Sequence, residues 1–372
     1  MSKIYDALII GGGPAGLSVA LALGRVHRTC IVFSDDKFRN AGAHAAHSIL
    51  TRDHIDPAEI RRLGRKDIER YNNTQYASTT ITKVTRTQAG PHSHFLAHNA
   101  DGQTWQGRSL VLAAGVRDQF PDLQGYAENW PANIYQCPFC DGHERSNGPI
   151  GILCYPAFNP MLTKFGTLAH FLSQPVGTAV ESITSSNVTF FSNGPVNNPD
   201  PTVAKALETL AAHHITLEQR PILRLEKSTE PDKEGLYVHL RNPDDSTSRV
   251  LMNFVLHKPR TAPSCPELIK QLDVDVEHGP FGDYIKTIQP FNGTSVPGVF
   301  ACGDNGTLLT QATVAMSTGN TVAGGVAHFV AELDDEIALE RYRKRQETGK
   351  DASVKGAGSA GVEEVACAVD SK

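Results

Sequence analysis

An almost unbroken apolar run, Ile4-Tyr5-Asp6-Ala7-Leu8-Ile9-Ile10, leads straight into Gly11-Gly12-Gly13-Pro14-Ala15-Gly16. No other feature constrains the fold of this chain as much. A run that stays apolar on both alternating faces reads as a parallel strand buried between layers. The glycines let the backbone bend sharply and come close to a pyrophosphate, and the helix that follows offers free N–H groups to the phosphates. Leu17 to Leu23 reads as that helix and Cys30-Ile31-Val32-Phe33 as the next strand. Gly11, Gly13 and Gly16, with Pro14 and Ala15, are therefore expected to hold the diphosphate of a dinucleotide. About 20 positions further on, such folds place an acidic residue on the ribose hydroxyls. Ser34 ends the second strand and Asp35 is the choice for that role, with a plain surface turn as the competing reading.

A late segment completes the pattern. Val299-Phe300-Ala301-Cys302-Gly303-Asp304 reads as a strand that ends by aiming Asp304 at the ribityl chain or phosphate of an extended FAD. A helix N-cap is the ordinary alternative for such an aspartate. The expected cofactor is FAD.

The rest of the chain is read more coarsely. A length of 372 residues suits one very large domain or two ordinary ones. Hydrophobic residues at 40%, charged residues at 20% and a net charge of −5 describe a globular protein without a nucleic-acid surface. The apolar stretch up to Leu23 is interrupted by glycines and a proline, so no membrane span is expected there. Met1-Ser2-Lys3 leads directly into the first strand, and the expected location is the cytoplasm. Residues 41–76 read as mostly helical and polar, with strands at 79–86, 94–98 and 109–113. A turn-rich segment from Pro121 to Pro131 reads as a crossover. A second α/β region follows, with strands at 150–154, 188–191, 222–226, 236–241 and 249–256 and a helix near 161–173. A last helix is expected from about Thr310 to Leu333. The expected division is 1–120 with 256–345 as the FAD-binding domain and 121–255 as a middle domain, leaving 346–372 as a disordered tail.

Between the two halves of the dinucleotide pattern lies Cys137-Pro138-Phe139-Cys140-Asp141. A C-x-x-C closes a disulfide across a short loop and can have a lowered thiolate pKa. Zinc would need two further ligands at suitable spacing, and there is no second C-x-x-C, so no metal is expected. Seven cysteines at irregular spacing argue against a secreted disulfide framework. Cys30, Cys154, Cys265 and Cys302 read as small buried hydrophobes, and Cys367 falls in the tail. A thiol–disulfide cycle also needs an acid–base group. Asp141 is the first candidate and His143 the second; a loop aspartate satisfying local N–H groups is the ordinary alternative.

These motifs together resemble the low-molecular-weight thioredoxin reductases. The resemblance rests on Gly11 to Gly16, Val111-Leu112-Ala113-Ala114-Gly115-Val116-Arg117-Asp118, Cys137 to Glu144 and the Gly303-Asp304 end, and it spans about residues 4–335. It implies an α/β fold of two Rossmann-like dinucleotide-binding-type domains and a homodimer. It places Ala113, Arg39, Asn40 and His47 along the flavin, and Gln311 with Ala312 at the start of the last helix against its ring system. It also implies that Cys140 lies against the flavin and Cys137 faces the substrate.

One part of the family pattern is missing. Where the middle domain should carry its own glycine fingerprint, the chain reads Gly151-Ile152-Leu153-Cys154-Tyr155-Pro156-Ala157-Phe158-Asn159-Pro160. Two prolines and bulky side chains leave no turn that can close on a pyrophosphate. The next strand runs into Phe191-Ser192-Asn193-Gly194-Pro195, which has no arginine for a 2′-phosphate. The second domain is therefore expected to lack a working nucleotide site. This departure resembles the dithiol oxidases of natural-product pathways, exemplified by those of gliotoxin and holomycin biosynthesis. It implies oxidation of a small-molecule dithiol to an intramolecular disulfide, with molecular oxygen as acceptor and hydrogen peroxide as product. An NADPH-dependent disulfide reductase is one alternative, and a flavin-bound redox sensor is another.

Overall fold

The computed structural model describes residues 3–87, 91–197 and 199–347. The tail expected at 346–372 lies outside the described residues except for its first two.

The first strand, Ile4–Ile10, pairs in parallel with Cys30–Ser34 on one side and with Thr104–Leu112 on the other. Thr74–Ser78 extends the sheet beyond Cys30–Ser34. Val299–Ala301 returns from the far end of the chain to pair in parallel with Leu110 to Leu112. Phe95–Asn99 and Ile81–Arg86 add an antiparallel edge, giving seven strands in all. The carboxyl ends of the first strand and of Val299–Ala301 therefore emerge at the same end of the sheet, flanking Leu112, and the two loops meet there: a Cβ on Gly303 would stand 2.8 Å from the Ala15 Cβ. Ligands of such open sheets sit at that end of the strands.

The helix Pro14–Arg25 and the last helix, Ala312–Glu347, cover one face of this sheet. Leu17, Val19, Leu23, Val322, Val326 and Val330 interlock there with Ile9, Val32 and Val111 in one buried cluster. The two helices touch so closely that a Cβ on Gly319 would stand 2.4 Å from the Ala15 carbonyl oxygen. The last helix runs to Glu347, well beyond the Leu333 expected. Asp334, Asp335, Glu336 and Glu340 followed by Arg341, Arg343, Lys344 and Arg345 put acid before base along an exposed helix, an order that favours both pairs along the helix and the helix dipole.

A second, all-parallel sheet is ordered Thr216–Glu218, Val188–Phe191, Ile150–Leu153, Phe254–Leu256, Ile134–Tyr135. Ile222–Lys227, Leu236–Arg241 and Thr247–Met252 form a separate antiparallel sheet. The expected strand at 249–256 is thus two strands in two sheets, broken at Asn253.

Residues 41–56 are not helical. The helix Pro57–Glu69 starts only after them, capped by the Asp56 carboxylate accepting from the Ala58 amide. Ser48, Thr51 and His54 all have positive φ (59°, 69° and 60°), a conformation that interrupts a right-handed helix. An antiparallel bridge between Ala46 and Ile55 ties the ends of the segment together as a loop. The polar, mostly helical reading of 41–76 therefore holds only from Pro57 to Glu69.

Candidate active site

A cavity of about 1070 Å³ runs from the glycine turn to the cysteine pair. Its wall includes Gly11, Gly13, Pro14, Ala15, Ser34, Asp35, Arg39, Asn40, His47, Ala113, Gly303, Asp304, Gln311 and Ala312. The expected cofactor residues thus converge on one space. Gly16 stands just behind them, where a Cβ would lie 1.9 Å from the Gly11 carbonyl oxygen. Gly11 has φ 122°, and a Cβ on it would meet the Ala113 carbonyl oxygen at 2.1 Å, so both conformation and packing demand glycine.

Gly13 is different. Its φ of −79° and ψ of −175° suit any residue, and a Cβ there would have no protein atom within 4 Å. Neither strain nor packing requires a glycine at this turn. The space beside it is kept clear at the helix N-terminus, where a diphosphate would lie.

Deeper in the cavity, Arg39 ties distant segments together. Its guanidinium donates to both Asp118 carboxylate oxygens, at 2.9 and 2.6 Å, to Asp304 at 3.2 Å and to the Gln136 side-chain oxygen at 2.6 Å. Burial pushes the Asp304 carboxyl above its ordinary pKa, and the Arg39 charge opposes that shift. Lys258 reaches Thr310 Oγ1 at 3.2 Å in the same cluster. Burial, with Arg39 adding to it, lowers the Lys258 pKa to about 8. Asp118, Gln136 and Lys258 were not among the expected site residues. They come from three separate segments, and the Pro before or after a lysine such as Lys258-Pro259 carries no signal of such a network.

Cys137 and Cys140 are joined as a disulfide, with Cα atoms 5.3 Å apart. The amides of Cys140 and Asp141 both donate to the Cys137 carbonyl, which winds the loop into one tight turn. The irregular segment 41–56 grips that turn from outside. His47 Nδ1 lies 2.6 Å from the Cys140 carbonyl oxygen, and Ser48 Oγ donates to the Phe139 carbonyl at 2.8 Å. Cys140 and Asp141 line the large cavity. They also line a second, more open cavity of about 620 Å³, together with Phe139, His143, Glu144, His54 and Leu50. His47, Ser48, Cys140 and Asp141 form the wall common to both. Cys137 is only 9% exposed, lines neither cavity, and lies 4.0 Å from Gln311 Nε2.

Asp141 and His143 are unequal. Burial raises the Asp141 carboxyl to about 6, only partly offset by His47. His143 is exposed on a short 3-10 turn. The remaining described cysteines are held as thiols: burial lifts Cys30 to about 11 and Cys154, Cys265 and Cys302 to about 12. Three of them are buried, whereas Cys265 is intermediate and lines the large cavity.

Residues 5–153 match the family model of the pyridine nucleotide-disulphide oxidoreductases. The chain is 35% identical to thioredoxin reductase sirT of Leptosphaeria maculans over 87% of its length and 94% of that protein. It is 36% identical to thioredoxin reductase tcpT of Claviceps purpurea, over 91% of this chain and 98% of that one. The chain belongs to the thioredoxin reductase family. It is an FAD-binding oxidoreductase. The crystal structure of HlmI is similar over 94% of this chain and 99% of its own, with TM-score 0.76 and 25% identity. Among the described residues, no helix is long and apolar enough to cross a membrane.

After the strand Ile150–Leu153 the chain turns through Tyr155 to Pro160. Asn159 caps the following helical turn, its side-chain oxygen accepting from the Met161 amide at 3.0 Å. Asn193, from the end of the next strand, donates to the Pro156 carbonyl at 2.8 Å and accepts from the Ile222 amide at 2.7 Å. Pro156 and Pro160 have no N–H to offer.

Proposed function

We propose that this chain is an FAD-dependent oxidase that closes a small-molecule dithiol into an intramolecular disulfide, within a secondary-metabolite pathway. The observation that carries this reading is the turn after Ile150–Leu153. Its helical start is capped by Asn159 and its Pro156 carbonyl is bonded by Asn193, while the cysteine pair stays beside the FAD cavity. In this reading the second domain has no nucleotide site, and electrons enter through thiols.

The chemistry balances as R(SH)2 + O2 giving RS2 + H2O2. One substrate thiolate attacks a sulfur of the Cys137–Cys140 disulfide to form a mixed disulfide. The second substrate thiol then displaces it, leaving the substrate oxidised and the pair as two thiols. Bound FAD would supply the relay that carries two electrons from the reduced pair to oxygen. Gly11 to Gly16 and Asp304 would hold its phosphates and ribityl chain, and Asp35 its ribose. Asp141 takes the proton of the incoming thiol and returns it to the leaving thiolate. A homodimer, the dithiol and oxygen are the partners of this reading.

Anaerobic titration of the full-length holoprotein tests it. A small dithiol should bleach the flavin, and NADPH should not do so at a useful rate. Readmitted air should restore the yellow colour with about one peroxide per disulfide formed, as two-electron chemistry requires. Rapid bleaching by NADPH without dithiol would restore the reductase reading; bleaching by neither would favour the sensor.

A second outcome concerns the proton. A base with pKa of about 6 is mostly protonated at pH 5 and mostly ionised at pH 7, so flavin reduction by dithiol should rise with pH through about 6 and then level off. Asp141→Asn should remove that limb and slow the step on the order of a hundredfold, the usual size of general acid–base assistance. If the limb instead survives in Asp141→Asn and disappears in His143→Gln, His143 is the base.

A further inference from the structure

At the outer rim of the cysteine turn three side chains meet that the oxidase reading does not use as a group. His47 Nε2 lies 3.5 Å from Glu144 Oε1, and His54 Nδ1 lies 3.9 Å from the same oxygen. The three ligand-type atoms fall within 4.8 Å of one another. The rings of His47 and His54 meet edge to face with centroids 4.8 Å apart. All three residues line the second cavity beside Cys140.

The hydrogen bonds behind these histidines make the cluster unusual. His47 Nδ1 faces the Cys140 carbonyl oxygen at 2.6 Å, and a carbonyl only accepts, so Nδ1 carries the proton. In a neutral imidazole that leaves a lone pair on Nε2, pointed at the Glu144 carboxylate. His54 repeats the arrangement. Its Nε2 faces Asp53 Oδ2 at 3.4 Å, which leaves Nδ1 toward Glu144. Asp53 is itself fixed, because its other oxygen accepts from the Ser48 amide at 2.8 Å. A cation in the gap would meet both ring lone pairs and the carboxylate at once. Histidines that bind metals are held in this way, with the non-ligating N–H on a carbonyl or carboxylate.

We propose that His47, His54 and Glu144 form a binding site for a divalent ion of the zinc class, separate from the cysteines. Two histidines and a glutamate match the ligand set of zinc sites that keep a further position open. A tetrahedral ion with bonds of about 2.0–2.1 Å needs ligand atoms roughly 3.3 Å apart, so the widest pair has to close by up to about 1.5 Å. His54 is exposed and on a loop, so it can supply that movement. The open position faces the cavity that Cys140 lines, and zinc takes sulfur ligands readily. A thiol arriving at Cys140 would therefore meet the ion. The site does not depend on whether dithiol or NADPH feeds the enzyme.

The test uses full-length, FAD-loaded protein with the disulfide closed, stripped by a chelator and titrated calorimetrically with zinc sulfate. One ion per chain should bind. His54→Ala and Glu144→Gln should abolish binding while retaining full flavin content, which shows that the fold is intact. Asp53→Asn, which touches no ion, should weaken binding roughly 10- to 100-fold through its hold on His54. The double variant Cys137→Ser/Cys140→Ser should bind zinc as the parent does. The proposal fails if the parent binds no zinc, if His54→Ala binds it unchanged, or if the cysteine double variant loses it.

Discussion

Replacing either cysteine should end dithiol oxidation, and the two variants should differ in colour. Cys137→Ser and Cys140→Ser each leave a single thiol, so no protein disulfide remains for a substrate thiolate to attack. Turnover should fall to background in both while FAD stays bound. In Cys137→Ser the surviving Cys140 remains on the wall of the FAD cavity, where a thiolate beside oxidised flavin gives a long-wavelength absorbance band. Cys140→Ser retains only Cys137, which is buried and lines neither cavity, and should lack the band. The band appearing in Cys140→Ser instead would exchange the two roles. Because Cys140 also lines the outer cavity, the same variants ask which sulfur the substrate attacks.

Gly13→Val should produce a folded protein without its yellow colour. The backbone at Gly13 is extended and the added Cβ meets no protein atom, so the circular dichroism and melting of the apoprotein should be unchanged. The branched side chain would instead stand in the space kept clear at the helix N-terminus. Retained FAD should drop roughly tenfold or more, since each 1.4 kcal/mol of lost interaction costs a factor of ten in affinity. Full flavin content in Gly13→Val would remove the diphosphate from this turn. Gly11→Val cannot make the same distinction, because a side chain there collides with the Ala113 backbone and disturbs the fold itself.

The features legible in the sequence were those whose causes are local. The strand Ile4–Ile10 and its glycine turn announce themselves because a doubly buried strand must be apolar throughout and the close contacts at Gly11 and Gly16 admit no Cβ. The C-x-x-C turn is likewise local, its sulfurs brought together by two amides donating to one carbonyl. Segment 41–56 reads as part of a polar helix in the sequence, whereas its shape is set by partners far along the chain at Phe139 and Cys140. The cluster of Arg39, Asp118, Gln136, Lys258 and Asp304 was only partly seen for the same reason, since it exists only once five segments converge. Two helices were missed despite a signal. Asp200 caps Pro201–Ala212 with proline in first position, and Pro266–Leu272 also opens on proline.

His47, Ser48, Cys140 and Asp141 form the partition between an inner chamber and an outer one. In the proposed oxidase cycle a sulfur embedded in a shared wall would work as a revolving door for charge: what is handed over on one side could be collected on the other without either visitor crossing. Substrate could then leave before the acceptor arrives, and the two halves of the cycle would never need to coexist on the protein.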